Sequence, residues 1–246
     1  MNKILKSYLL ILATVIMGIG LLVLSEKISL PHWVNHSAFI LAVFVILNII
    51  YDAVFKLNAI QNFWSLRKVY QLLPAAICGT LIAVAPAMAA LGFGSITPCD
   101  LHFNFTLSIS SLILSFIIVG WEELWFRGVM LNYANRHLSA LNISLTIGLL
   151  FMLVHVLNPE IELLKKGPAL FFAGALLTIL YFYYRSIWVP WGLHFGNNFF
   201  GGMLKAENDH DPFFGGDGYL SAIILASIFL FFAYRIYNNR SSSSAI

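Results

Sequence analysis

An all-α bundle of about eight membrane-spanning helices is the fold that this sequence predicts, and three observations carry the prediction. The 246 residues are 60% hydrophobic and only 10% charged, with a mean hydropathy of +0.84, far from the roughly 45–50% apolar and 25% charged content of soluble domains. The apolar residues fall in runs of the length that about 20 residues of helix need to cross a hydrocarbon core. The charges between the runs alternate in sign from one side to the other, as the bias of lysine and arginine toward the cytoplasm requires.

Taken in order, Lys3 and Lys6 precede an apolar run, Tyr8 to Leu24, that imitates a secretory signal. It is longer than such a signal's core and is followed by SEKISLPHW without a small-residue cleavage site, so it reads as a retained anchor. Further runs follow at Ala38–Val54, Leu72–Phe93, Leu107–Tyr133, Ile143–Leu157, Pro168–Tyr184, Ile187–Met203 and Tyr219–Tyr237. Lys3, Lys6, Lys56, Arg67, Lys68, Arg136, Arg185, Arg235 and Arg240 then lie on one side, and only Lys27, Lys165, Lys166 and Lys205 on the other. Apart from Asp52, the loop acids gather with the smaller set, so both termini are expected in the cytoplasm. Between the second and third runs, Lys56 to Tyr70 interleaves Leu57, Ile60, Phe63, Trp64 and Leu66 with polar and basic residues. That pattern fits a helix lying in the membrane interface, and equally an ordinary connector. No long repeat is present, and the Ser241–Ser244 tail is uninformative. One membrane domain, 1–246, is the economical assignment.

Several function classes drop out. A net charge of +3 dispersed along the chain gives no concentrated basic face, so no nucleic-acid partner is expected. Cys78 and Cys99 have neither disulfide-framework nor zinc-knuckle spacing. The acidic loop Glu207–Asp217 is better read as a solvated turn than as a cation site.

What needs explaining is SFIIVGWEELWFRGVM, Ser115 to Met130, where two glutamates and an arginine interrupt an apolar run. A carboxylate near a bilayer centre costs about 2.5–3.5 kcal/mol even on a lenient scale, so such a cluster marks function by default. Glu123 and Arg127 are i,i+4 neighbours and neutralise each other on a helix, a structural role, whereas Glu122 points about 100° away with no sequence-local cation. Two more spans carry polar groups. His155 follows Phe151 by one turn and precedes an expected helix end at Asn158–Pro159. His194 and Asn198 share a face, and Gly192 and Gly196 on a neighbouring face allow another helix to approach closely.

A lone intramembrane histidine or asparagine is as readily interhelical glue. Together, however, Glu122, His155, His194 and Asn198 bring an acid/base, two imidazoles and an amide to three spans that hold almost no other charge. In a low-dielectric cavity a glutamate can take a proton from water and return it to a leaving amine. Histidines can position that water or bind a zinc that acidifies it, and an amide can stabilise an oxyanion. This set describes peptide-bond hydrolysis. No His-Glu-x-x-His helix occurs, and the two histidines are 39 residues apart, so the metal stays open.

At these residues the sequence resembles the CAAX protease and bacteriocin-processing family of intramembrane proteases, also called the Abi family, which includes type II CAAX prenyl endopeptidases and lysostaphin-resistance-like proteins. The resemblance rests on E-E-x-x-x-R at Glu122, Glu123 and Arg127, F-x-x-x-H at Phe151 and His155, and H-x-x-x-N at His194 and Asn198, in the family's order. It covers a core of about 107–203. It implies an eight-helix endopeptidase, with its site open to the cytoplasm, acting on a peptide or lipidated protein. In it Glu122 would be the general base with His155 beside it, His194 and Asn198 would form the oxyanion side, and Glu123 with Arg127 would support the motif helix. The family has been described both as metal-dependent and as metal-free. If a metal such as zinc is used, Glu122, His155 and His194 would hold it. Prenylated tails are the family's eukaryotic substrates; bacteriocin maturation, self-immunity and peptide signals are its bacterial associations. The short loops favour a bacterial plasma membrane, with the endoplasmic reticulum as the alternative.

Two rival readings use the same residues: a non-enzymatic scaffold or immunity protein of this fold, and a transporter with Glu122 as proton carrier. The transporter lacks the expected repeated halves. Counting rise from the presumed cytoplasmic ends places His194 roughly 11 Å deep but Glu122 and His155 roughly 17–18 Å. The mismatch predicts a departure from straight helix at Pro190 to Leu193.

Overall fold

A computed structural model describes residues 2–28, 36–97, 101–103, 109–128, 130–157, 162–206 and 218–243. Helices account for most of them: α1 (Lys3–Lys27), α2 (His36–Phe55), α3 (Ala59–Phe63), α4 (Leu72–Gly92), α5 (Ile109–Arg127), α6 (Met130–Ala134), α7 (Ala140–Val154), α8 (Leu163–Tyr184), α9 (Trp188–Met203) and α10 (Tyr219–Ser243). The predicted all-α, multi-pass architecture is what the chain adopts. Among the described residues the one addition is a three-residue antiparallel pair, β1 (Leu101–Phe103) with β2 (Leu204–Ala206), joining the segment before α5 to the end of α9.

Five segments are long and apolar enough to cross a membrane: Lys3–Ser25, His36–Phe55, Ala59–Gly92, Leu163–Tyr184 and Tyr219–Asn238. The other three expected spans are helical but atypical. α7 has 15 residues and α9 has 16, while α5 carries the Glu-Glu-Arg cluster. Large apolar side chains such as Leu73, Ile77 and Leu81 of α4 stay outside the bundle, 55–68% exposed, as lipid-facing residues do.

Local chemistry sets the boundaries. The Asn2 side chain accepts the Ile4 amide at the start of α1, and Ser139 accepts that of Asn142 at the start of α7. Lys56 and Asn58, at φ 49° and 54°, turn the chain sharply after α2, and the Asp52 carboxylate receives the Ala59 amide at 2.8 Å. Lys56 to Tyr70 is therefore not one interfacial helix. It folds as α3 and a 3-10 segment, Leu66–Gln71, with Leu57, Ala59 and Phe63 buried in the protein.

Two expectations are corrected. Pro190 to Leu193 is regular helix: α9 begins at Trp188, so Pro190 lies in its first turn, where a missing amide leaves no bond unmade. The Leu107–Tyr133 run is not one helix, because α5 ends at Arg127 and α6 starts at Met130. Glu122 is thus five residues from the end of α5, about 7.5 Å, and His194 six from the start of α9, about 9 Å. Most of the depth mismatch between those two came from counting α6 as part of the same helix. α7 also stops sooner than expected, with His155–Leu157 a 3-10 turn and Asn158–Pro159 outside the described residues. Cys99 and the Glu207–Asp217 loop also lie outside them; Cys78 is exposed and unpaired.

Helices approach closely where they lack side chains. A Cβ on Gly79 would strike the Leu193 carbonyl, one on Gly192 the Leu72 carbonyl, and one on Gly196 the Ala76 carbonyl, so α4 and α9 meet backbone to backbone. Gly148 and Gly174 do the same for α7 and α8, where a Cβ would come within 2.6 Å of Phe171 O and Phe151 Cβ respectively.

Candidate active site

The site is assembled where α5 and α9 are clamped together one turn from the glutamates. The Trp191 ring lies over Gly120, which has no side chain to obstruct it. Its indole N–H donates to Phe116 O at 3.2 Å, and the two rings stack with centroids 5.0 Å apart. That contact sets Glu122 and Glu123 of α5 against His194 of α9.

Glu123 and Arg127 form the local pair predicted, and both are fully buried. Arg127 Nη1 donates to Glu123 Oε1 at 3.1 Å. The remaining donors reach across to α8, Nη2 to Gly174 O at 2.8 Å and Nε to Thr178 Oγ1 at 3.2 Å. Gly174 and Thr178 were not singled out from the sequence; their only mark is i,i+4 spacing. Asn48 of α2 was also missed. Its buried amide donates to Phe44 O at 2.8 Å and Leu124 O at 3.3 Å, tying α2 to the motif helix.

The pairing does more than fold the helix. Glu123 Oε1 also takes the His194 Nδ1–H at 2.7 Å, a contact spanning 71 residues of sequence. A carboxylate bound to a guanidinium is ionised and can only accept, so the proton of a neutral His194 ring sits on Nδ1 and Nε2 is a bare acceptor. Nε2 receives Asn198 Nδ2 at 3.0 Å and lies 3.5 Å from Glu122 Oε2. Glu122, unlike Glu123, keeps 19% of its side chain exposed. His155 follows the same rule: its Nδ1–H donates to Phe151 O at 2.7 Å, leaving its Nε2 an acceptor. The Phe151 ring sits between the imidazoles, with centroids 4.7 Å from His155 and 5.9 Å from His194.

His155, His194 and Asn198 line a cavity of about 220 Å³ between α7, α8, α9 and α10, with Asn197 and Ser221 adding polar groups. Glu122 does not line it, and meets His194 from the α5 side. Both histidines present the tautomer that a metal ligand needs. Even so, Glu122, His155 and His194 do not converge on one point: among the described residues no three His, Cys, Asp or Glu side chains are placed to hold an ion. A second cavity of about 630 Å³ is almost wholly apolar and shares Ile82 and Leu193 with the first.

Comparison with curated proteins found no match. Residues 104–200, which hold Glu122, Glu123, Arg127, His155, His194 and Asn198, match the family described as type II CAAX prenyl endopeptidase Rce1-like. Over that stretch, less than half of its length, the chain is similar to the CAAX-type membrane endopeptidases.

Proposed function

We propose that the protein is an intramembrane endopeptidase, a single membrane domain in which Glu122 activates water for attack on a peptide carbonyl. The observation that carries this reading is the meeting of Glu122, His194 and Asn198 within reach of one another, on two helices clamped by Trp191. Glu122 takes a proton from the water as its oxygen bonds to the carbonyl carbon. It returns that proton to the amine nitrogen as the C–N bond breaks. Asn198 donates to the developing oxyanion. His194, its Nδ1–H held by Glu123, positions Asn198 through Nε2. His155, with Nε2 free to accept, orients the water or the substrate amide.

A substrate bearing a lipid chain suits the apolar cavity that opens beside the polar one. The distribution of lysine and arginine supports cytoplasmic termini and a site served from that side, and the short loops favour a bacterial plasma membrane over the endoplasmic reticulum. The test is cleavage of a membrane-anchored peptide library, with and without lipidation, by purified protein in nanodiscs. Cleavage is expected for wild type and not for Glu122→Ala, and a chelator arm separates metal-assisted from glutamate-only hydrolysis. Cleavage that persists in Glu122→Ala refutes the assignment of the base.

A further inference from the structure

At the end of the bundle formed by the α2–α3 turn, the α6–α7 turn and the end of α8 lies a third cavity, of about 820 Å³, distinct from the cluster around His194. Arg136 and Arg185 line it with Asn62 and Asn135, and no carboxylate does. Among the described residues neither arginine has an acidic partner within ion-pair distance. Both are exposed, and the Arg185 side chain is held against the protein. Arg185 ends α8 at φ 49°, its amide bound to Tyr181 O, and Lys68 Nζ donates to its carbonyl at 2.6 Å. Its guanidinium rests on the Phe63 ring 5.7 Å from the centroid. The backbone at Arg136 is set by its amide bonding to Tyr133 O at 3.2 Å. Phe63 and Ile236 give the cavity an apolar wall.

We propose that this cavity binds the phosphate of an anionic phospholipid headgroup. Two unpaired guanidiniums with side-chain amides match phosphate oxygens. The apolar wall, and the position where membrane-spanning helices end, fit a headgroup attached to acyl chains rather than a free anion. Lys6, above the Tyr133 ring at 5.9 Å, adds positive charge at the same end.

The experiment places wild type, Arg136→Gln/Arg185→Gln and Arg67→Gln in nanodiscs of phosphatidylcholine with a minor fraction of phosphatidylglycerol, and measures the lipid retained on detergent extraction by native mass spectrometry. Wild type is expected to enrich phosphatidylglycerol, and the double variant to lose about thirtyfold of that preference, about fivefold per arginine. Arg67 is exposed at the same end but outside the cavity, so Arg67→Gln should behave as wild type. If the double variant does not accumulate, the two single variants read the same site, each at its fivefold. Undiminished enrichment in the arginine variants overturns the proposal, as does equal loss in Arg67→Gln, which would mean diffuse surface attraction. So does binding of inorganic phosphate by the lipid-free protein without any phosphatidylglycerol preference, which would make the occupant a free anion.

Discussion

Replacing Arg127 by leucine tests the buried pair most directly. The guanidinium is fully buried, and in Arg127→Leu it is lost from Glu123, Gly174 and Thr178 at once. The α8 groups are not orphaned, because Thr178 Oγ1 already donates to Gly174 O at 2.8 Å. The cost therefore concentrates on Glu123, whose carboxylate stays at zero exposure with only the His194 N–H beside it. Removing one partner of a buried pair costs about 3–5 kcal/mol. For a chain of this length that is a fall in Tm of about 6–20 °C. Thermal unfolding in detergent, followed by tryptophan fluorescence, measures it. Glu123→Gln/Arg127→Leu removes the stranded charge and keeps an acceptor for His194, so it should recover at least half of the loss. A single variant within about 2 °C of wild type, or a double variant no better than the single, refutes the assignment of the cost to Glu123.

Three further outcomes are expected. Glu122→Ala lowers peptide cleavage by about 10²–10⁴-fold, the usual contribution of a general base, with little change in Tm because the side chain is partly exposed. Asn198→Ala lowers kcat by about 10²–10³-fold and leaves KM unchanged if its amide serves the oxyanion; a change in KM alone contradicts that role. Gly196→Ala forces a Cβ onto the Ala76 backbone and should destabilise by about 1–3 kcal/mol. Gly20→Ala in α1, where nothing lies within 4 Å, should be neutral or gain about 0.5–1 kcal/mol, so a thermal-shift comparison of the two checks the α4–α9 contact.

The polar cluster was legible in the sequence because charge inside apolar runs is expensive and so stands out at Glu122, Glu123 and Arg127. Helix ends were not. Hydropathy reports removal from water, not continuity, and the residues after Arg127 stay apolar while the chain breaks and restarts at Met130. Pro190 misled for a related reason: proline breaks a helix interior but begins a helix well, and only the actual start at Trp188 tells which. The bond from Glu123 to His194 could not be read from spacing at all, since it depends on how α5 meets α9. Periodicity is equally silent about strands of three residues, which is why β1 and β2 were not foreseen.

The glycine contact between α4 and α9 also bears on traffic. The two backbones are in direct contact, so separating α4 from α9 would give up the packing that holds His194 and Asn198 in position. The apolar cavity touches α4, α8, α9 and α10, and the lipid-facing side of α10 carries large exposed residues such as Leu230 and Phe231. Under the proposed function, a chain arriving from the bilayer is expected to enter on the α4–α10 side, where side chains rather than main chains line the apolar cavity.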